Sequence, residues 1–369
     1  MTEIGPGIDA AQLAQPMDGR EQPHRSLGPA VASPSVRVAG RVLRPTPVFD
    51  TYWRFAAARQ GIYLARVAGN PGPWTDDAIL ARHRFTNCYR AADRVSQYLI
   101  RRVAYTGSQD PAEVVFRVLL FKLFNRISTW ELLAGELGTP TWSGFDPDAC
   151  DDVLGKAFAR GRRLYSAAYV IPSTAMGGHR KHTNHLRLLH RMMADGIADR
   201  ARASSSLRAL FETLRAYPGI GDFLAYQFAV DLNYTTVVDF SEMDFVVPGP
   251  GARDGIRKCF GPTGDGIEPD IIRYMAEHQD EHFARLGLRF PGLWGRALQL
   301  VDCQNLFCEV DKYARIAHPD IPGRSGRSRI KQRFAAVADP VSAWFPPKWN
   351  LPVPGHASPE PRQHCRPSR

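Results

Sequence analysis

The stretch Pro218-Gly219-Ile220-Gly221-Asp222-Phe223-Leu224-Ala225-Tyr226-Gln227-Phe228 decides the fold. Apolar residues repeat at helical spacing on both sides of the Pro-Gly-x-Gly turn, over 207–214 and over 224–232. Both glycines are able to adopt positive φ and to leave backbone N–H groups pointing outward. Such a turn at the start of a helix binds anions. The alternative is a helix-ending glycine between two core helices.

Helical patterns account for most of the remaining sequence. Residues 87–103 alternate an apolar and a polar face, and residues 112–125 are apolar nearly all round, which predicts a central buried helix. Residues 128–131 read as a capping box that opens the next helix. Only 234–238 and 245–247 suggest extended chain, and neither has a partner strand. The predicted fold class is therefore all-α.

The composition of the chain narrows the classes of protein to which it can belong. It has 369 residues, a formal net charge of +10 and a pI of about 9.5, which suits a polyanionic partner such as DNA. The six cysteines are scattered without a Cys-x-x-Cys pair, which favours reduced thiols over disulfides or a zinc site. No apolar run reaches ~18 residues and no signal sequence is evident. We therefore expect no metal, cofactor or membrane, and an intracellular location.

The two ends differ from the middle in composition. Residues 1–40 are rich in Pro, Gly, Ala and Ser, which predicts disorder. Residues 321–369 are basic and rich in proline, which is typical of a non-specific DNA arm or of a solubilising tail. Residues 41–320 are left as the helical domain.

The order of elements around the turn resembles the helix-hairpin-helix DNA glycosylases. A second helix is followed by a short apolar run that ends in Asp239, near the position of the catalytic aspartate of those enzymes. The resemblance implies a two-lobed helical domain that receives a base flipped out of DNA. The Schiff-base lysine of the lyase-type members would fall at Phe223, and their four-cysteine signature is missing. The resemblance thus concerns fold and base access rather than ordinary base excision.

A second resemblance is narrower and covers residues 47–320. Five blocks look like the helical domain of the 5-hydroxymethyl-deoxyuridine DNA kinases and of the related alpha-glutamyl/putrescinyl thymine pyrophosphorylases, or amino acid:DNA transferases. The blocks are 85–98, 121–131, 239–245, 248–260 and 307–313. The resemblance implies hypermodification of thymine-derived bases, in which a hydroxymethyluracil is phosphorylated or pyrophosphorylated and an amine then displaces the activated group. No Gly-x-x-x-x-Gly-Lys-Ser/Thr motif occurs, so kinase chemistry is not expected of this chain.

Displacement at the 5-methylene carbon needs a proton acceptor and a site for the departing pyrophosphate. The predicted catalytic carboxylates are Asp239, Glu242 and Asp244, although acidic residues before a helix also serve as caps. The predicted anion site combines the turn glycines Gly249 and Gly251 with Arg257 and Lys258. A plain turn into a surface helix is the alternative.

Polar residues on otherwise apolar helices supply the remaining candidates. The predicted substrate-binding residues are Arg90, Asp93, Arg94, Gln97, Lys122, Asn125, Asn305, Glu309 and Lys312. Most of them are equally consistent with solvated helix faces, but an ammonium on the buried 112–125 helix requires a partner. The predicted DNA-binding residues are Gly219, Gly221, His179, Arg180 and Lys181.

Three functions fit this sequence. The first is a DNA-modifying transferase that acts on a flipped thymine-derived base, with DNA and a small amine or amino acid as its substrates. The second is a monofunctional DNA glycosylase that uses Asp239. The third is a non-catalytic DNA-binding module that works with a separate base kinase or hydroxymethylase.

Overall fold

The structure, a computed structural model, describes residues 34–167, 171–335, 341 and 343–354. The predictions for 1–33 and for 355–369 lie outside these residues. The described chain is mostly helical, which confirms the all-α fold class. The helices are α1 (Pro47–Val67), α2 (Ala78–Arg82), α3 (Arg94–Tyr98), α4 (Pro111–Phe124), α5 (Ile127–Leu137), α6 (Pro147–Ala159), α7 (Lys181–Ala194), α8 (Ile197–Arg202), α9 (Leu207–Arg215), α10 (Asp222–Asn233), α11 (Pro250–Phe260), α12 (Glu268–Glu277), α13 (Gln279–Arg285) and α14 (Leu300–Ala317).

A small β-hairpin precedes α1 and begins inside the segment that was predicted to be disordered. Strands β1 (Val36–Val38) and β2 (Arg41–Leu43) pair antiparallel, with Val36 opposite Leu43. Ala39 and Gly40 both have positive φ, as a tight hairpin turn requires. The disorder prediction was therefore wrong for residues 36–40, because alternate valines of β1 turn into the core.

The predicted central helix is confirmed as α4. The side chain of Asp110 caps its first turn by accepting a hydrogen bond from the backbone N–H of Ala112. Every residue from Val114 to Phe124 is buried, so the helix is enclosed by the rest of the domain. It ends at Asn125, whose backbone is left-handed with φ 48°.

The start of the next helix, α5, differs from the start that the sequence predicts. α5 begins at Ile127, and the predicted capping box does not form, because its hydroxyls bond elsewhere. The Thr129 hydroxyl donates to the carbonyl of Leu164, and the Ser128 hydroxyl accepts from Arg126 Nε.

Residues 87–103 form several short pieces instead of one helix. A 3-10 turn (Arg90–Ala92) is followed by α3 and then by a π-helical turn (Leu99–Ala104). Side chains compete for the backbone here: Asp93 accepts from the N–H of Asn87, and Gln97 donates to the carbonyl of Ala91. The continuous helix predicted for this segment was therefore wrong.

The two helices around the Pro-Gly-x-Gly turn are confirmed as α9 and α10. Ser206 caps α9, whose buried face carries Leu207, Leu210 and Leu214. Gly219 has φ +77°, as expected, but Gly221 has φ −80° and needs no special conformation. The prediction of positive φ is therefore confirmed for Gly219 and wrong for Gly221.

Helices α11 and α14 pack closely on each other. A Cβ at Gly255 would lie 2.1 Å from the backbone oxygen of Phe307, so only glycine fits at this crossing. Gly251, one turn earlier on α11, faces Cys308 in the same way at 3.1 Å.

The described chain after residue 320 packs against the helical domain. The backbones of 82–84 and 332–334 form a short bridge. Further along, residues 343–353, which we call the C-terminal segment, bury Phe345 and Val353 and stack Phe345 on Trp349. Packed chain thus continues beyond the predicted boundary at 320, and the role of the tail as a DNA arm stays a prediction.

Candidate functional site

A buried ion-pair centre lies where the Arg90 turn, α4 and α10 meet. The Arg90 guanidinium donates to both carboxylate oxygens of Asp231 at 2.8 Å, and its Nε donates to Gln227 at 2.9 Å. Lys122 Nζ lies 2.9 Å from the same Asp231 carboxylate and 3.0 Å from Asn125 Oδ1. One buried carboxylate therefore holds two buried cations.

The charges of this centre depend on one another. Burial acts to raise the pKa of Asp231, but the positive charges of Arg90 and Lys122 outweigh it and lower that pKa. Burial lowers the pKa of Lys122, which Asp231 opposes. Lys122, Asn125 and Gln227 lie together at this point with Leu224 and Phe228 of α10.

A pair of buried carboxylates lies on the other side of Arg90. The backbone N–H of Arg90 donates to Asp302 at 2.8 Å, and Arg296 lies 3.1 Å from Glu242. Burial raises the pKa of Glu242 against the charge of Arg296. Burial and the neighbouring Glu242 raise the pKa of Asp302 to about 7. This Glu242 centre is therefore able to hold or release a proton near neutral pH.

Several polar atoms around Glu242 have no hydrogen-bond partner in the described part of the chain. They are Glu242 Oε1, the hydroxyls of Tyr226 and Tyr234, and Arg296 Nε. Glu242 influences the pKa of both tyrosines, whose pKa values burial raises, so the three residues are close together. Buried polar atoms rarely stay unpaired, because each loses its hydration without compensation. We therefore treat these atoms as candidate contacts for a polar ligand or water.

The C-terminal segment covers one side of the Glu242 centre. Lys348 Nζ donates to the carbonyl of Val238 at 2.6 Å and lies 3.3 Å from the carboxylate of Asp239. The guanidinium of Arg296 lies 4.1 Å from the ring centroid of Trp349. Burial lowers the pKa of Lys348, which the carboxylate of Asp239 opposes.

The three predicted catalytic carboxylates do not share one cavity. Glu242 is 5% exposed, whereas the Asp239 side chain is 77% exposed and Asp244 is also on the surface. Asn233 fixes the preceding loop, because its side chain bonds both the N–H and the carbonyl of Phe240. The predicted convergence was therefore wrong: only Glu242 turns inward, and Asp239 reaches its neighbourhood through Lys348.

The polar face of α14 is used to hold the backbone of residues 84–87. Asn305 donates to the carbonyl of Asn87, Glu309 accepts from the N–H of Thr86, and Lys312 donates to the carbonyl of Arg84. Lys312 also lies 2.8 Å from Glu309. These three predicted substrate-binding residues therefore position the segment that leads into Arg90.

The other predicted substrate-binding residues of 87–103 do not lie together at one site. The carboxylate of Asp93 accepts a hydrogen bond from the backbone N–H of Asn87, and Arg94 is exposed. Gln97 Oε1 accepts from the N–H of Trp344 at 2.8 Å, which attaches the C-terminal segment.

The loop before α11, which was predicted to bind an anion, packs against neighbouring side chains. Gly249 faces Phe223, whose ring would lie 2.7 Å from an added Cβ, and Gly251 faces Cys308. Lys258 is buried, 3.2 Å from Asp311 of α14, while Arg257 forms an ion pair with Asp265. Gly251 and Lys258 therefore support the α11–α14 contact, while Gly249 packs on α10 and Arg257 is held by Asp265.

The predicted DNA-binding residues lie on loops and helix starts. A Cβ on Gly219 would lie 1.9 Å from Thr174 Cγ2, whereas a Cβ on Gly221 would meet nothing within 4 Å. His179 and Arg180 are exposed. Lys181 lies 4.2 Å above the ring of Tyr165.

Sequence reasoning missed Gln227 and Asp231 of the first centre, and Tyr226, Tyr234, Arg296 and Asp302 of the Glu242 centre. Gln227 and Asp231 are four residues apart on an otherwise apolar helix, a signal that places both on one buried face. Arg296 precedes α14 in irregular chain, where no periodicity marks it.

Two general features complete the description. Among the described residues, no group of three or more His, Cys, Asp or Glu side chains is arranged to hold a metal ion. None of the helices described above is long and apolar enough to cross a membrane.

The fold and site define a mostly helical domain that encloses a buried ion-pair centre and, beside it, a pair of buried carboxylates. The family model for the 5-hmdU DNA kinase, helical domain, matches residues 46–323. The chain therefore belongs to the 5-hmdU DNA kinase helical-domain family.

A curated relative adds to this assignment. The 5-hmdU DNA kinase of Bacillus phage SP10 is 26% identical over 289 residues, which cover 72% of this chain and 45% of the relative. The chain thus spans less than half the length of that relative. No solved structure matches the chain. The resemblance to the kinase helical domain is confirmed, while those to the pyrophosphorylases and to helix-hairpin-helix glycosylases stay predictions.

Proposed function

We propose that this chain acts in DNA hypermodification and receives a flipped 5-hydroxymethyluracil, or its phosphorylated or pyrophosphorylated form, at the Glu242 centre. The observation that carries the proposal is the set of unpaired buried atoms on Glu242, Tyr226, Tyr234 and Arg296. A uracil ring presents two carbonyl acceptors and one N–H donor, which match a guanidinium, two hydroxyls and a carboxylate. The choice of 5-hydroxymethyluracil as the base rests on membership of the family.

The chemistry we propose is transfer of an amine to the 5-methylene carbon. The amine nitrogen forms a bond to that carbon, and the bond from carbon to the pyrophosphate oxygen breaks, so pyrophosphate leaves with the electron pair. The proton released by the attacking nitrogen passes to Glu242, whose raised pKa suits this role. Arg296 and Lys348 are placed to stabilise the negative charge of the leaving group.

A second candidate is a DNA-binding module without catalysis of its own. The C-terminal segment covers the Glu242 centre, and the chain spans only 45% of the curated relative. Under this proposal the chain presents the modified base to a separate base kinase.

The test uses the full chain with duplexes that carry thymine, 5-hydroxymethyluracil or pyrophosphorylated hydroxymethyluracil, each with candidate amines. Nucleosides are then analysed by mass spectrometry. We expect Glu242→Gln to abolish the amine adduct with little loss of DNA affinity, because the substitution keeps shape and removes the proton acceptor. Asp244→Asn is the matched control on the same loop and should keep full activity.

Each outcome selects one function. An amine adduct that Glu242→Gln abolishes supports the transferase. Abasic sites would identify a glycosylase instead, and selective binding of the modified duplex without any product would favour the non-catalytic module. Equal adduct formation by wild type and by folded Glu242→Gln would refute the role of this centre.

A further inference from the structure

A pocket of about 230 Å³ opens beside the N-terminus of α5. Its polar lining comes from Arg126, Ser128, Thr129, Arg162 and Arg163. None of these residues belongs to the Arg90 or Glu242 centres, and none was predicted to have a function.

The pocket is strongly cationic. Among the described residues, no carboxylate lies within 4 Å of the guanidinium of Arg126, Arg162 or Arg163. Glu131 on the same helix interacts with the Tyr98 hydroxyl, and Asp151 of the adjacent α6 accepts from Thr183. Three positive side chains thus line one space, and none of them has a carboxylate partner among the described residues.

The cations are held in place by short polar contacts. Arg126 Nε donates to the Ser128 hydroxyl at 2.8 Å, which lays the guanidinium along the first turn of α5 and leaves its terminal nitrogens available. The Thr129 hydroxyl donates to the carbonyl of buried Leu164 at 2.7 Å. This bond fixes the loop that carries Arg162 and Arg163 against α5.

The backbone adds a favourable field. The N-terminus of α5 has no side-chain cap, and the backbone N–H groups of Thr129 and Trp130 donate to the carbonyl of Arg126. An 11-residue helix directs the positive end of its dipole there. An anion in the pocket therefore meets guanidinium groups near the positive end of the α5 dipole.

The geometry points to a binding site for a phosphate group in the Arg126–Arg162–Arg163 pocket. Guanidinium groups bind phosphate oxygens in pairs, and three of them match the several oxygens of a phosphate or pyrophosphate. The phosphate belongs either to the backbone of bound DNA or to free phosphate or pyrophosphate. The site stands independently of the function proposed for the Glu242 centre.

The experiment compares the double variant Arg162→Ala/Arg163→Ala with Arg101→Ala/Arg102→Ala. The latter also removes two consecutive exposed arginines but lines no part of the pocket. Pyrophosphate binding is measured by calorimetry, and duplex binding by fluorescence anisotropy over a series of salt concentrations. Circular dichroism confirms that both variants are folded.

Two results support the site and distinguish its ligand. If the ligand is free pyrophosphate, the pocket variant loses at least about tenfold in affinity for it, while the control keeps wild-type affinity. If the ligand is a DNA phosphate, the pocket variant lowers the salt slope of duplex binding by about one more than the control does.

A charge-preserving variant separates a built site from general positive charge. Arg162→Lys/Arg163→Lys keeps both charges but loses the paired donors, so it should lose most of the same binding. Pocket and control variants that bind both pyrophosphate and duplex alike would overturn the proposal.

Discussion

Asp231 is the residue whose replacement should damage the fold most. It is the carboxylate that the structure places between buried Arg90 and buried Lys122. Asp231→Asn keeps the size of the side chain, but it removes the negative charge and turns an amide N–H₂ toward one of the cations. Breaking one buried ion pair costs about 3–5 kcal/mol, and this substitution breaks two, so we expect a loss of at least about 3 kcal/mol. A domain that is stable by roughly 5–15 kcal/mol would lose a large part of its stability.

The assay is urea denaturation followed by tryptophan fluorescence and circular dichroism. Lys122→Met is the informative companion, because it leaves the balanced Arg90–Asp231 pair intact and should cost less than Asp231→Asn. Asp195→Asn is the control, since its pair with Arg191 is exposed and should contribute only about 0.5 kcal/mol or less. A loss below about 1 kcal/mol for Asp231→Asn would refute the reasoning that these charges depend on one carboxylate.

Three further predictions follow from the geometry. Because burial raises the pKa of Asp302 to about 7, its contribution to stability is fully present below the unfolded pKa of about 4 and is lost as pH rises through about 7. Asp302→Asn should flatten that part of the pH curve in urea denaturation, and an unchanged curve contradicts the assignment. Gly219→Ala should weaken duplex binding in anisotropy titrations much more than Gly221→Ala, because only the first has positive φ and no room for a Cβ; equal effects would contradict this. Gly255→Ala should cost about 1–3 kcal/mol or more in thermal or urea denaturation, because the new Cβ meets the Phe307 carbonyl, and wild-type stability would show that α11 moves freely on α14.

Much of the fold follows from apolar periodicity in the sequence. The helices α4, α9 and α10 lie where the spacing of leucine, valine and phenylalanine predicts them. The failures concern segments where a side chain bonds the backbone. Asp93 and Gln97 interrupt the predicted helix over 87–103, and the Ser128 hydroxyl accepts from Arg126 instead of capping its own helix. Competition of this kind depends on neighbours in space, which periodicity does not register.

The candidate site was predictable only in part, for a similar reason. Arg90, Lys122 and Glu242 stand out as polar residues in apolar surroundings, and all three are buried. Asp302 does not stand out, because its relation to Arg90 spans 212 residues of sequence. The pattern of charges along the sequence does not show a contact such as the one between Arg90 and Asp302.

The long sequence separation within the two centres has a consequence for how the protein folds. Arg90 bonds Asp302 across 212 residues, and Lys348 bonds Val238 across 110. Contacts of such high sequence separation form late, because the chain must close long loops before it gains from them. A chain that docked its helices wrongly would leave Asp231, Arg90 or Lys122 charged and alone in an apolar interior. The buried charges therefore penalise misassembled forms more than they stabilise the native one, and they act as a check that the distant parts of the chain have met in the correct order.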